Sequence, residues 1–342
     1  VTDHAAAPAS PWARQPFSAA PSIRDPTTGI PVAVTIETSP DSVAPAEGAL
    51  RKLTMRSIAW LQAGPMMLVF ALFFLLPLVL VVIVSAWDYN EYEMIPAFSF
   101  RGYTDTFEGC VANLPELCTI LKTYLKTLKL CLLTWGLTLL IGFWVAYFLA
   151  FHVRSKTWQI VLSLLCTIPF WTSNVIRMIA WIPLLGRNGL VNQGLIGAGF
   201  INKPVEWLLF SEFSVVLALV HLFTFFMVVP IFNSMIRIDK RLIEAAYDAG
   251  ASGWQTLVNI VIPLSKPGIV IGSIFVITIV MGDFVTIGVM GGQQIASAGK
   301  IIESRLSALQ FPAAAANAVI LLGITIIIIS ALTRIVDVRK EL

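Results

Sequence analysis

The chain has 342 residues, of which 57% are hydrophobic and only 13% charged. That balance excludes an ordinary soluble globular domain, and a formal net charge of +3 is too small to argue for a nucleic-acid partner. Six stretches, at about 58–84, 128–150, 159–182, 214–236, 268–290 and 313–335, approach the roughly 20 apolar residues of a membrane span. At this hydropathy helices are the element expected, because backbone groups in lipid must be bonded internally. The expected fold class is therefore an all-α membrane protein with six transmembrane helices.

Residues 1–50 are rich in Pro, Ala, Ser and Thr and lack apolar periodicity, so 1–55 reads as a disordered cytoplasmic tail. Pro65 and Pro77 suggest kinks in the first span. Arg51, Lys52 and Arg56 before that span favour an inside N-terminus, as do Arg154 and Lys156, Arg237, Lys240 and Arg241 in later loops. Six spans then place the C-terminus inside as well. The first external loop, about 85–120, is acidic and holds Cys110 and Cys118. In an oxidising compartment these two form a disulfide, or else they remain free thiols. Cys131 and Cys166 fall in spans and read as packing residues. Lys122, Lys126 and Lys129 share one helical face at the start of the second span. They suit either outer headgroups, with snorkelling side chains, or a periplasmic partner.

The third span carries Phe170, Asn174, Arg177 and Trp181 at i, i+4, i+7 and i+11, which predicts one shared face with Trp171 beside it. Aromatic faces attract cations, although aromatics near a membrane boundary also serve as interface anchors. The segment 183–212 reads as loop with a short helix at most. Between the fourth and fifth spans, Lys240 to Ala249 predicts a helix that stops at Gly250, the residue to which a left-handed cap costs least. Ser252 caps a second helix, expected to run from Gly253 to about Ile262 and to end at Pro263 and Pro267. In the fifth span, Asp283 is expected about 22 Å from the cytoplasmic end, with Thr286 one turn on. A buried acid there suits either an anionic contact for a cationic substrate or a structural pair with Arg177. Segment 291–312 predicts a short external helix over Ile301–Leu309.

No G-x-x-x-x-G-K-[ST] loop occurs, so ATP is not bound by that route. His4, His152 and His221 are far apart, and no metal spacing, G-x-S-x-G or H-E-x-x-H is present. No cofactor or metal is expected in the chain itself.

One segment resembles a known family. Glu244-Ala245-Ala246, Gly250 four residues on, then Ile260-Val261-Ile262-Pro263 looks like the EAA loop of bacterial ABC importer permeases, with Ile262 where the family has Leu. The resemblance implies a type I importer permease over 56–342, with a cytoplasmic coupling helix in a loop at about 237–267. Glu244, Ala245, Ala246, Asp248, Gly250, Ile260 and Pro263 would dock on a separate ATPase dimer, which would bind the ATP and Mg. A second homologous permease and a periplasmic binding protein would complete the complex in the bacterial inner membrane. Pro169-Phe170-Trp171-Thr172-Ser173, Leu184 to Asn192 and Gly282-Asp283-Phe284-Val285 are similar to spermidine/putrescine permeases. That similarity implies a polyamine or related organic cation moving past Asp283, Asn174, Arg177, Phe170, Trp171, Trp181 and Thr286. The fourth-span run Leu222 to Met227 departs from that pattern, which leaves opines, amino-acid derivatives, iron and anions open. A secondary transporter using Asp283 and Arg177 as an ion relay would explain the buried charges but not the EAA spacing.

Overall fold

The computed structural model describes residues 60, 63–90, 94–107, 110 and 118–335. The expected tail, residues 1–55, lies outside the described residues, as does the C-terminal 336–342. The chain forms two units, Val1–Phe70 and Ala71–Leu342; the described part of the first, residues 60 and 63–70, is helical.

In chain order the elements are α1 (Ala63–Val84), strands β1 (Trp87–Tyr89) and β2 (Met94–Phe98), α2 (Arg101–Thr106), and α3 (Thr119–His152). After these come α4 (Lys156–Trp171), α5 (Asn174–Leu185), α6 (Leu190–Gly197), α7 (Glu212–Met235), and α8 (Lys240–Asp248). The chain continues with α9 (Gly253–Gly282), α10 (Val285–Met290), α11 (Ala298–Ser307), and α12 (Phe311–Ile335). Five helices, α1, α3, α7, α9 and α12, are long and apolar enough to span a membrane, and the bent pair Lys156–Trp171 with Asn174–Gly197 meets the same length and composition together.

The core is built around α7. Its apolar residues run round the whole helix, and 61% of its most apolar window is buried, against none of that of α1. It packs on α3 and α9. Small residues let these helices close up where a side chain would keep them apart. A Cβ on Gly268 would run into the Pro230 carbonyl oxygen, and one on Gly142 would lie 2.9 Å from Met227 Cγ. The inner face of α3 is Thr123, Thr127, Thr134, Thr138, Gly142 and Ala146. Thr127 Oγ1 accepts from the Ala298 N–H at 2.9 Å, and Trp135 Nε1 donates to Ser273 Oγ at 2.9 Å.

Three expectations change here. The third span is not one helix from 159 to 182. It breaks at Thr172 and Ser173, both extended, and turns by 89°. Pro169 has no N–H to give in the last turn of α4, and Thr and Ser favour caps over helix interiors. Phe170 therefore lies in the last turn of α4, whereas Asn174, Arg177 and Trp181 lie on α5, so the four do not share one helical face. Second, the prolines at 263 and 267 do not end the helix that begins at Gly253. It continues to Gly282 because a π-turn at Leu257–Val261 precedes Pro263, which then sits in a new first turn where no N–H is needed. The same device, a π-turn at Ala71–Leu75, precedes Pro77 in α1. Third, the first long connection is not wholly helix and loop: β1 and β2 pair as an antiparallel hairpin.

In the same connection Cys110 and Cys118 are joined by a disulfide. Cys131 is buried and free, and Cys166 is half-buried and free.

Candidate functional site

Two regions carry the candidate chemistry. The first is the turn between α7 and α9. Asp239 caps α8 by accepting from the Arg241 N–H at 3.0 Å. At the other end, Gly250 has φ +84°. The Gly250 N–H reaches the Tyr247 carbonyl and the Ala251 N–H reaches the Ala246 carbonyl, each at 2.9 Å. These are the two bonds of a Schellman stop, and they need the left-handed residue where the glycine stands. Ser252 then starts α9 with a reciprocal box: Gln255 N–H donates to Ser252 Oγ at 3.3 Å, and Ser252 N–H to Gln255 Oε1 at 2.8 Å. Sequence and backbone together make a helix–turn–helix capped on both sides of its turn.

Its outer surface is open. Glu244, Ala245, Asp248 and Gly250 are exposed, and Ala246, Ile260 and Pro263 are half-buried. Three large side chains that the motif does not contain also project from it: Leu242, Tyr247 and Trp254, the last 68% exposed. Aromatic side chains of this kind are the usual anchors of protein interfaces. Beneath α8 lies a cavity of about 320 Å³ whose walls include Tyr147, Phe151 and His152 from the end of α3 and Lys240, Glu244 and Tyr247 from α8.

The second region is the broken third span. Arg177 donates through Nη2 to the Thr172 carbonyl at 3.3 Å and to Asn174 Oδ1. The guanidinium thus satisfies a backbone carbonyl that the break has released. Phe170 meets Phe225 and Phe226 of α7 at 5.4 and 5.6 Å between ring centres, and Phe226 meets Phe275 of α9 at 6.3 Å. Trp171 projects at 81% exposure. On α5, Trp181 Nε1 donates to His221 Nδ1 at 3.2 Å.

Asp283 is not in mid-helix. It follows the last residue of the 30-residue α9, about 45 Å along from Gly253 and, as expected, about 22 Å from the start of the apolar span at 268. The helix itself starts in the turn, well before the apolar stretch. Its carboxylate accepts from the Thr286 N–H at 2.8 Å and from Thr286 Oγ1 at 2.6 Å. It caps α10. Among the described residues no ion pair joins Asp283 to Arg177, although α10 packs on α5. A carboxylate has about four acceptor sites, so this cap leaves capacity for a further donor. No group of three metal-ligating side chains occurs among the described residues.

Sequence reasoning missed His221, Phe225, Phe226 and Phe275. The run Leu222 to Met227 signals aromatics on α7, but the cluster forms only across three helices.

Five continuous apolar helices, a sixth apolar stretch broken after Trp171, and an exposed helix–turn–helix between α7 and the apolar part of α9 define a membrane permease that works with a separate partner. The family model described as "Binding-protein-dependent transport system inner membrane component" matches residues 138–341, and the chain belongs to that family. It is 32% identical over 225 residues to the spermidine/putrescine transport system permease protein PotB of Escherichia coli strain K12, covering 65% of this chain and 81% of that protein. The PotB of Haemophilus influenzae is 30% identical, with 68% and 77% covered. Among solved structures, a bacterial alginate ABC transporter in complex with an alginate pentasaccharide-bound periplasmic protein superposes with a TM-score of 0.62. That match covers 83% of this chain and 95% of the other; at 15% identity it shows the fold alone, a type I importer permease. The chain is the membrane permease subunit of a binding-protein-dependent ABC importer.

Proposed function

We propose that this permease moves polyamines, spermidine or putrescine, inward. The observation that carries the reading is the 32% identity to permeases named for those substrates. The aromatic cluster of Phe170, Phe225, Phe226 and Phe275, with Trp171 beside it, supports it. Such ring faces attract ammonium groups without holding them tightly. Asp283 and Thr286, Asn174, Arg177 and Trp181 line the same path in this reading.

The chain contributes no ATPase of its own here. An ATPase dimer binds ATP and Mg and docks on Glu244, Ala245, Ala246, Asp248 and Gly250, with Ile260 and Pro263 behind them, while Leu242, Tyr247 and Trp254 anchor the contact. Both termini and this turn face the cytoplasm of a bacterium. A second homologous permease completes the path, and a periplasmic binding protein delivers the substrate.

A second substrate reading, an amino-acid derivative bearing a carboxylate, is favoured by one observation: Arg177, a permanent cation, sits at the break beside the aromatic cluster. The test is substrate-stimulated ATP hydrolysis and uptake by the reconstituted complex with its binding protein. Polyamines, opines and amino acids would be compared. Stimulation by polyamines alone is expected. Stimulation by a carboxylate-bearing solute and not by polyamines would overturn the substrate reading.

A further inference from the structure

We propose that the outer end of α3 holds the headgroup phosphate of an anionic phospholipid, through Lys122 and Lys126. The inference does not depend on which solute is carried. The outward face of α3 is a single stripe: Lys122, Leu125, Lys126, Lys129, Leu132, Leu133, Gly136, Leu140 and Trp144 are all exposed. From Leu132 downward the stripe is apolar, and at its top it is basic.

Depth fixes what the lysines meet. From Leu130 to Phe151 the helix rises about 33 Å, which matches the hydrocarbon core of a bilayer, roughly 30 Å. Lys129 then marks the outer edge of the hydrocarbon. Lys126 stands about 4.5 Å above it and Lys122 about 10 Å, across the headgroup layer. Lys129 is already paired with Glu212 at 2.6 Å. Lys122 and Lys126 have no ion-pair partner among the described residues. Both face a groove of about 480 Å³ whose other walls include Thr119, Thr123, Leu125 and Ala296. Two cations with no ion-pair partner among the described residues, one turn apart, open to a groove at phosphate height and continuous with an apolar stripe, complement a lipid with a charged head and acyl tails. Lysines on this side also run against the usual inward bias of positive charge. A ligand that needs them there accounts for that departure.

The test uses the intact transporter complex, delipidated and titrated with phosphatidylglycerol while bound lipid is read by native mass spectrometry. Lysines near a lipid surface contribute about fivefold each, so Lys122→Gln with Lys126→Gln should weaken phosphatidylglycerol retention ~30-fold. Lys122→Arg with Lys126→Arg should retain the lipid, and Lys203→Gln, an exposed lysine outside the groove, should change nothing. Raising the salt concentration should release the lipid from the unaltered complex, which keeps the test decisive if the Gln variant does not assemble. Equal retention of phosphatidylcholine would overturn the proposal, as would displacement by millimolar inorganic phosphate or undiminished retention by the Gln variant. A Gln variant that keeps the lipid but loses affinity for the binding protein would assign the lysines to protein docking and overturn it too.

Discussion

Substitution of Gly250 separates two ways in which the turn between α7 and α9 could matter. With φ at +84°, any L-residue other than Asn is strained there, at about 1–2 kcal/mol, which corresponds to a roughly 5- to 30-fold loss in the population of the formed turn. Among the described residues, no heavy atom beyond its own chain neighbours lies within 4 Å of where a Cβ would stand. Within the chain, then, Ala and Trp at this position cost about the same, and Asn costs least. A docked ATPase changes the order, because only the partner's surface can feel the size of the side chain. We expect Gly250→Asn and Gly250→Ala to retain most ATPase association and transport. Gly250→Trp should lose nearly all of both, with membrane insertion intact in every case. The assay is copurification of the ATPase on the tagged permease, followed by uptake into proteoliposomes. If Ala and Trp fall together below Asn, backbone strain alone governs the site. If Gly250→Trp transports at the unaltered rate, the turn does not face the ATPase and the docking argument fails.

Gly268→Ala should lower the thermal stability of the assembled complex by about 1–3 kcal/mol, since the new Cβ meets the Pro230 carbonyl and lies 2.9 Å from Ile231 Cα, backbone atoms that cannot swing aside; an unchanged melting temperature would place α7 and α9 further apart than described. Asp283→Ala should destabilise by about 1 kcal/mol through loss of the α10 cap, whereas Asp283→Asn should lose less. Because Asp283 and Arg177 are not joined, Asp283→Asn and Arg177→Gln should be additive within about 0.5 kcal/mol in a double-mutant cycle, and rescue of one by the other would show a pair. Denatured protein should take up two alkyl labels before reduction, at Cys131 and Cys166, and four after it; four labels without reductant would mean that Cys110 and Cys118 are not bonded.

The continuous spans were legible because each is a long apolar run with little else to mean. The turn was legible because its signals are local: a run of helix formers, a Gly stop, a Ser cap. The break after Trp171 was not, since hydropathy averages across Thr172 and Ser173 and the aromatics on either side keep the mean high. Its signal was Pro169 followed by two cap-forming residues. Pro263 misled for a related reason: a proline ends a helix only if the carbonyl it faces has nowhere to go, and the π-turn before it, invisible in the residue pattern, provides room. Asp283 was readable as a cap from Asp-x-x-Thr, but its place in an apolar stretch drew the reading toward a buried charge. The aromatic cluster was out of reach because Phe170, Phe226 and Phe275 meet only in three dimensions.

The two interruptions are neighbours, and this bears on how a charged solute could pass. α10, which follows the gap at Asp283, packs on α5, which follows the gap at Thr172 and Ser173. Inside a membrane each gap exposes backbone groups that lipid cannot satisfy. Arg177 supplies a donor to the Thr172 carbonyl, and Asp283 supplies an acceptor to the Thr286 N–H. Each ionisable side chain therefore holds its own gap. In the proposed reading, a polycation meeting this region finds ring faces, the spare acceptor sites of one carboxylate and a guanidinium, not a deep electrostatic well. A conduit works best that way, since a solute must be attracted enough to enter and held weakly enough to leave. Selection among solutes then falls to the protein that delivers them, and residues along the path should tune rate more than choice of substrate.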